Sequence, residues 1–228
     1  MGLANSLIDG ITSVVNKYGK VIVLEDDLIT SPFFLKFMNE GLEKYQSNDK
    51  IASIHGYVNP VKESLPQNFF LSYMSSWGWA TWDRAWKLFE PNGTKLLEEL
   101  QNRNLEKKLD FNNSYYFVKM LKNQIKGKNN SWAIRWYSSI LLNDKLCLYP
   151  NKSLVAQIGY DGSGIHSSND DWFEVELSDS PVELLDIPIE ESAVARKVYE
   201  KFYKSVKLTY WFKIKNLIKK IYRRILKK

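Results

Sequence analysis

The sequence has little cysteine, little histidine and no long apolar run. Its single cysteine, Cys147, excludes an internal disulfide, so nothing in the chain requires an oxidising compartment and a cytoplasmic location is expected. No stretch approaches the roughly 18 consecutive apolar residues of a transmembrane helix. The first twenty residues lack the basic and then apolar layout of a signal peptide. We therefore expect a chain that neither spans a membrane nor is secreted by that route.

Charge is distributed unevenly along the 228 residues. The formal net charge is +6, but residues 196–228 hold 13 bases and one acid, whereas residues 1–195 hold 19 bases and 25 acids. An acidic body without an RNA- or DNA-binding motif argues against nucleic acid as a partner. The basic tail instead predicts an amphipathic helix on an anionic membrane surface, peripheral on the inner face of the cell membrane. Its apolar residues at helical spacing are Trp211, Ile214, Leu217, Ile218, Ile221, Tyr222 and Ile225.

Hydrophobic periodicity predicts an α/β domain over residues 1–190 and a basic helical tail over residues 191–228. The apolar stripe of the tail has an alternative use, which is packing on the domain or on a partner. The first predicted strand is apolar on both faces, as a parallel strand covered by helices would be. The predicted helices cover residues 3–18, 32–45, 82–89, 96–109, 115–122 and 132–142, and the predicted strands cover residues 20–24, 51–57, 69–74, 146–149 and 153–158.

An aliphatic run ends in three consecutive carboxylates in the stretch VIVLEDD, residues 21–27. Ligands of open α/β sheets bind beyond the carboxyl ends of the strands, where Glu25, Asp26 and Asp27 are expected to lie. Three adjacent negative charges repel one another, so a cation or hydroxyl donors would have to compensate them. The triplet also fits a solvated turn before Ser31, and its position alone does not decide between these interpretations.

Five blocks of the sequence together resemble bacterial family-2-like glycosyltransferases of the GT-A fold and, more distantly, the N-acetylglucosaminyltransferase I group. The resemblance implies a mixed sheet with flanking helices. It also implies transfer of a hexosyl or N-acetylhexosaminyl group from a nucleotide-sugar donor to a cell-surface polysaccharide or lipid-linked glycan precursor. The blocks are GLANSLIDG (2–10), the Glu-Asp-Asp triplet (25–27), SSWGWATWDRAW (75–86), SWAIRWYSS (131–139) and GYDGSGIH (159–166).

The resemblance gives each carboxylate of the triplet a role. Asp27 is implied as the ligand of a Mn²⁺ or Mg²⁺ ion that bridges to the donor diphosphate, and Asp26 and Glu25 are implied near the ribose and the donor sugar. The chemistry agrees with this assignment, because a divalent cation neutralises the charge that grows on a departing nucleoside diphosphate.

Four tryptophans fall within ten positions of the aromatic block. Trp82 and Trp86 have the i, i+4 spacing of a helix and are expected in the core. Trp77 and Trp79 flank Gly78, and we expect these three residues to contact the donor, because indoles stack on sugars and glycine admits a ligand close to the backbone. In the resembling enzymes this junction helps to form the donor and acceptor pocket.

The GYDGSGIH segment predicts a flap over a phosphate. Within it, His166 is a candidate metal ligand and Ser163 a candidate donor contact, although a lone histidine in a loop is more often simply exposed. Arg135, which lies between two tryptophans, is a further candidate phosphate contact, with a surface ion pair as its alternative.

An inverting transferase also needs a carboxylate that accepts the proton of the acceptor hydroxyl. The N-acetylglucosaminyltransferase group has an acid at the start of the helix that matches SWAIRW, where this chain has asparagines and a serine at 129–131. We therefore predict Asp161 as the base, with Asp110 and Asp83 as substitutes. Whether transfer inverts or retains the anomeric configuration stays open.

Two other classes stay open as well. A metal-dependent phosphohydrolase would use the same acidic strand end, and a non-enzymatic scaffold would use the tail to associate with a membrane.

The resembling enzymes place a strand and further elements ahead of the GLANSLIDG block, whereas Met1 directly precedes Gly2 here. We therefore expect an N-terminally truncated transferase whose sheet has an unpaired apolar edge. Such a chain would self-associate and show little or no activity alone. A partner polypeptide or an unusual sheet order is the alternative.

Overall fold

The computed structural model of the chain describes residues 2–158 and 171–225, and it describes side chains as far as Thr209. Its strands are β1 Lys20–Val23, β2 Leu28–Thr30, β3 Ile51–His55, β4 Asn68–Leu71, β5 Trp79–Trp82, β6 Leu146–Pro150 and β7 Val155–Gln157. Its helices are α1 Leu3–Tyr18, α2 Phe34–Lys44, α3 Asp83–Trp86, α4 Gly93–Asn102, α5 Glu106–Leu109, α6 Phe117–Ile125, α7 Trp132–Leu142 and α8 Ala193–Ile225, with a short 3₁₀ helix at Asp171–Phe173.

The strands form a five-stranded mixed sheet and a two-stranded sheet. The order in the large sheet is β1-β5-β3-β6-β4, in which β3 and β6 are parallel and the other pairs are antiparallel, while β2 pairs with β7. Helices α1, α2 and α8 flank the large sheet. The predicted α/β class is confirmed. No helix within the described residues is long and apolar enough to cross a bilayer.

Strand β1 lies at one end of the large sheet. The interpretation of β1 as a parallel strand was wrong, because within the described residues it pairs with β5 alone, in antiparallel register. Lys20 is exposed, and Val21 and Ile22 are half-buried, so neither face of β1 is fully covered. Strands β1, β3 and β6 nevertheless point in the same direction. We call the side where these three strands end the carboxyl edge, and the opposite side the amino edge.

Strand β5 was missed in the sequence. Its four side chains are all buried, since β5 lies between β1 and β3, so the alternation that identifies a half-buried strand is absent. The helix predicted over residues 82–89 is reduced to the single turn of α3. Likewise, the helix predicted over residues 96–109 is two helices, separated near Asn104, which has a positive φ of 55°.

The body of the protein continues into helix α8. Tyr199 and Tyr203 are buried, and the Tyr203 hydroxyl donates a hydrogen bond of 2.6 Å to the hydroxyl of Tyr73. Just ahead of α8, the Glu191 carboxylate accepts hydrogen bonds from the backbone N–H and the hydroxyl of Ser72. The helical tail that the sequence predicts from residue 191 onwards therefore begins with a helix that packs against β4.

Candidate active site

The carboxylate triplet lies directly beyond the carboxyl edge of the large sheet. Val23, the last residue of β1, pairs with Trp79, and the chain then turns through Glu25–Asp27 into β2. Two backbone hydrogen bonds fix this turn. The N–H of Leu28 donates to the carbonyl of Glu25 at 3.3 Å, and the N–H of Ile158 donates to the carbonyl of Asp27 at 2.9 Å. Strand β7 therefore holds the triplet in place.

Asp27 has one satisfied carboxylate oxygen and one unsatisfied oxygen. Its Oδ2 accepts a hydrogen bond of 3.0 Å from the side-chain amide of Gln157. Its Oδ1 is buried and has no hydrogen-bond partner among the described residues. A buried acceptor without a partner is costly in free energy and rare in native proteins. This oxygen is therefore the best-placed ligand for a cation in the triplet.

Glu25 experiences the charge of the other two carboxylates. Burial, followed by repulsion from Asp27 and then from Asp26, raises the pKa of Glu25 to about 7. Glu25 and Asp27 are half-buried whereas Asp26 is exposed. A cation next to Asp27 would favour the ionised form of Glu25 and bring its pKa down.

The metal site that the sequence predicts is only partly covered by the described residues. Within residues 2–158 and 171–225, no group of three or more histidine, cysteine, aspartate or glutamate side chains is arranged to hold a metal. His166, the predicted second ligand, lies outside these residues, as do Asp161 and Ser163. Mg²⁺ commonly takes one or two protein carboxylates and completes its shell with water and phosphate oxygens. The free oxygen of Asp27 fits a cation that is bound jointly with a diphosphate.

Trp77 and Gly78 lie next to the triplet at the carboxyl edge. Trp77 is half-buried and contacts Tyr57 edge-on, with the ring centroids 4.6 Å apart. Gly78 has a φ of +61°, and a Cβ on it would lie 2.5 Å from a methyl carbon of Val155. The glycine therefore allows β7 to pack closely against this loop. Val155 therefore occupies the space where a side chain of residue 78 would lie, whereas the sequence predicted a ligand there.

Trp79 belongs to the core. Its side chain is completely buried and stacks on Trp132, with the ring centroids 5.4 Å apart. The predicted donor contact of Trp79 is therefore not available to its ring, which has no exposed face. Trp82 and Trp86 are buried as expected.

His55, the other histidine of the chain, is also a core residue. Its Nε2 lies 2.7 Å from the hydroxyl of Ser53. Burial lowers the pKa of His55 to about 3, so the imidazole is neutral at physiological pH.

Arg135 is buried in the first turns of α7. Its Nε donates to the carbonyl of Ser131 at 3.2 Å, its Nη1 donates to the carbonyl of Pro91 at 3.1 Å, and its guanidinium lies over the ring of Phe89. These contacts connect α7 to the segment before α4. Nε and Nη1 are committed to backbone carbonyls, whereas Nη2 is buried and has no hydrogen-bond partner among the described residues. The buried position does not fit a surface ion pair, and the phosphate contact of Arg135 stays a prediction.

The two substitute bases are engaged in other contacts. The backbone N–H of Asp83 donates to the carbonyl of Gly19 at the amino edge, and its carboxylate pairs with Lys87. The carboxylate of Asp110 accepts a hydrogen bond of 2.7 Å from the N–H of Val118 and thereby caps α6, and burial raises its pKa.

No family model matches the chain, and no curated protein matches it significantly. The functional argument therefore depends on the geometry at the carboxyl edge. That geometry includes one residue that sequence reasoning missed, Gln157, which holds Asp27. The sequence places Gln157 in a short strand, but only the pairing of β7 with β2 shows which side chain it reaches.

Proposed function

We propose that the chain is a glycosyltransferase domain that binds a nucleotide-diphosphate sugar together with Mn²⁺ or Mg²⁺ at Asp27. One observation carries this proposal. Within a carboxylate triplet at the carboxyl edge, the buried Oδ1 of Asp27 has no hydrogen-bond partner among the residues that the structure describes. A ligand that brings both a cation and phosphate oxygens to this place would satisfy that oxygen and relieve the repulsion within the triplet.

The residues of the site have distinct tasks in the proposed reaction. Asp27 holds the cation through Oδ1, while the hydrogen bond from Gln157 keeps its carboxylate in a fixed orientation. A bound divalent cation supplies neutralisation of the charge on the departing nucleoside diphosphate. Glu25, which a cation next to Asp27 would keep ionised, can accept a hydrogen bond from a sugar hydroxyl. Trp77, which is half-buried at the carboxyl edge, would contact the donor sugar through its indole ring.

The observed distribution of acids favours the transferase over the phosphohydrolase. A hydrolase of that class assembles further carboxylates or histidines around a nucleophilic water. Among the described residues no second cluster of this kind is present, and Asp83 and Asp110 are engaged elsewhere.

Product analysis tests the proposal. The chain is incubated with a panel of nucleotide sugars and Mn²⁺, with and without a lipid extract as the source of acceptor, and the products are separated by mass. Because little activity is expected of the chain alone, the test is how any glycosylated lipid depends on Mn²⁺ and on Asp27. Asp27→Asn should abolish that product, whereas Asp83→Asn should retain it. Free sugar formed equally with and without acceptor would identify a hydrolase instead.

A binding measurement covers the case in which turnover is slow. Calorimetry of nucleoside diphosphates in the presence of Mn²⁺ should show binding to the parent chain and to Asp83→Asn, and none to Asp27→Asn. Equal binding to all three chains would contradict the proposal.

A further inference from the structure

Helix α8 runs across the large sheet from the amino edge to the carboxyl edge. Near its start, Glu191 is bonded to Ser72, which follows the end of β4 at the amino edge. Further along, the hydroxyl of Tyr203 accepts a hydrogen bond of 3.2 Å from the side-chain amide of Asn59, which lies beyond the end of β3. The helix therefore leaves the body at the same edge that carries the carboxylate triplet.

Side-chain contacts connect this exit point to the candidate active site. The ring of Phe202 in α8 contacts that of Phe173, with the centroids 5.8 Å apart, and Phe173 contacts Trp77, with the centroids 6.1 Å apart. The hydroxyl of Tyr57, which also packs against Trp77, donates to the carbonyl of Phe173 at 2.8 Å. Because a helix rises about 1.5 Å per residue, position 210 lies within about 25 Å of Trp77.

The outer part of α8 presents its apolar positions on a different side from the docked part. The docked side is defined by the buried residues Ala195, Val198, Tyr199, Tyr203 and Val206. The apolar positions of the outer part are 211, 214, 217, 218, 221, 222 and 225. At 3.6 residues per turn these positions lie roughly a quarter of a turn away from the docked side. The outer stripe is therefore not a continuation of the surface that packs on the body.

The charge of this outer part indicates what covers the stripe. Residues 210–228 contain eight lysines and arginines and no acid, whereas the body is acidic. A basic helix with an apolar stripe is complementary to an anionic lipid leaflet, which supplies both negative head groups and an apolar interior.

We propose that residues 210–225 lie on an anionic membrane surface and that α8 thereby holds the carboxyl edge of the sheet towards the bilayer. In this orientation the acceptor is an amphiphile presented by the membrane, a lipid-linked saccharide or sugar phosphate. The identity of the acceptor rests on the proposed transferase function. The membrane contact and the orientation do not depend on it.

Vesicle binding tests the membrane contact. The full chain is sedimented with vesicles of phosphatidylglycerol and phosphatidylcholine in equal parts, and with vesicles of phosphatidylcholine alone. We expect binding to the anionic vesicles and an affinity loss on the order of a hundredfold at low salt when Lys213, Lys220 and Arg224 are all changed to Gln. The matched control changes three exposed lysines of the body, Lys17, Lys36 and Lys126, to Gln and should bind nearly as tightly as the parent.

Three results would overturn the membrane contact. They are equal binding to neutral and anionic vesicles, an equal loss in the tail and body variants, and a tail variant that changes self-association but not vesicle binding.

Energy transfer to an acceptor dye in the vesicle surface tests the orientation. A single reactive cysteine is introduced at the exposed position Ile29, near the triplet, or at the exposed position Tyr18, at the amino edge, because the native Cys147 is buried. On vesicle binding, the label at position 29 should transfer more strongly than the label at position 18. Equal or weaker transfer from position 29 would overturn the orientation. Neither measurement needs a nucleotide, a metal or turnover, so failure here is distinguishable from failure of the proposed transferase function.

Discussion

The polar groups at the two ends of β1 differ in whether they have partners within the described residues. At the amino end, the carbonyl of Gly19 accepts from the N–H of Asp83, and the carboxylate of Asp83 pairs with Lys87 at 2.6 Å. At the carboxyl end, Asp27 has a buried oxygen without a partner among the described residues, and Glu25 is held next to two other acids. The same strand therefore connects an end that is complete in the folded chain with an end that a ligand would complete.

Arg84 shows how completely the amino edge is satisfied. Its guanidinium donates to the carbonyls of Tyr45, Gln46 and Ile51, at 2.8 to 2.9 Å, and also lies 4.4 Å from the centre of the Trp82 ring. A guanidinium that donates to three backbone carbonyls has a structural role. The contrast teaches that charge alone does not identify a site, whereas a buried charge without a partner does.

The largest difference between the two ends is expected for alanine substitutions of their glycines. Gly78 and Gly19 both have positive φ, but a Cβ at Gly78 would clash with Val155, whereas nothing lies within 4 Å of a Cβ at Gly19. We expect Gly78→Ala to lower the free energy of unfolding by about 3 kcal/mol and Gly19→Ala by about 1 kcal/mol, as measured by urea denaturation. Equal losses would show that the packing of β7 against this loop contributes little.

A smaller effect, dependent on pH, is expected at Glu25. Its folded pKa of about 7 exceeds the ordinary glutamate value of 4.5, so the folded state binds this proton more tightly. Ionisation of Glu25 therefore destabilises the fold as the pH rises from about 4.5 to 7, and the penalty is complete above pH 7.

Glu25→Gln removes that penalty. After allowance for partial solvation, we expect a gain in the free energy of unfolding of about 1 to 2 kcal/mol at pH 8 and almost none at pH 4, measured without divalent cations. The control is Glu98→Gln at an exposed position of α4, which should leave the free energy of unfolding nearly unchanged at both pH values. A gain from Glu25→Gln that does not vary with pH would refute the electrostatic explanation.

The smallest effect is expected at the amino end. Asp83 forms an i, i+4 ion pair with Lys87, whose side chain is 70% exposed. Such pairs contribute little, so Asp83→Asn should change the free energy of unfolding by less than about 0.5 kcal/mol. A loss above about 1 kcal/mol, measured by thermal denaturation, would mean that the amino end also depends on its charge.

The sequence predicts those parts of the fold in which periodicity is strong. Helices α1 and α7 have the predicted bounds, because each is long enough to repeat its apolar pattern. Strand β5 and the three-residue strand β2 were not predicted. The first is buried on every side and the second is too short to show a pattern.

The candidate site was predictable only as far as local sequence determines it. The triplet was found because an aliphatic run leads directly into three acids. Tertiary packing decided the rest, since it places Trp79 in the core, commits Arg135 to carbonyl groups and brings Gln157 to Asp27. These contacts join residues that are far apart in the sequence, so no local pattern indicates them.

Binding of Mn²⁺ followed by electron paramagnetic resonance tests the central claim most directly. The parent chain, Asp27→Asn and Asp83→Asn are titrated with Mn²⁺ in the presence of a nucleoside diphosphate, so that two carboxylates at opposite ends of β1 are compared. Loss of a charged ligand that is worth about 1.5 to 3 kcal/mol should weaken Mn²⁺ binding by roughly tenfold to a hundredfold in Asp27→Asn. Asp83→Asn should bind Mn²⁺ as the parent does. Equal affinities in all three chains would contradict the assignment of the unpartnered oxygen of Asp27 as a cation ligand.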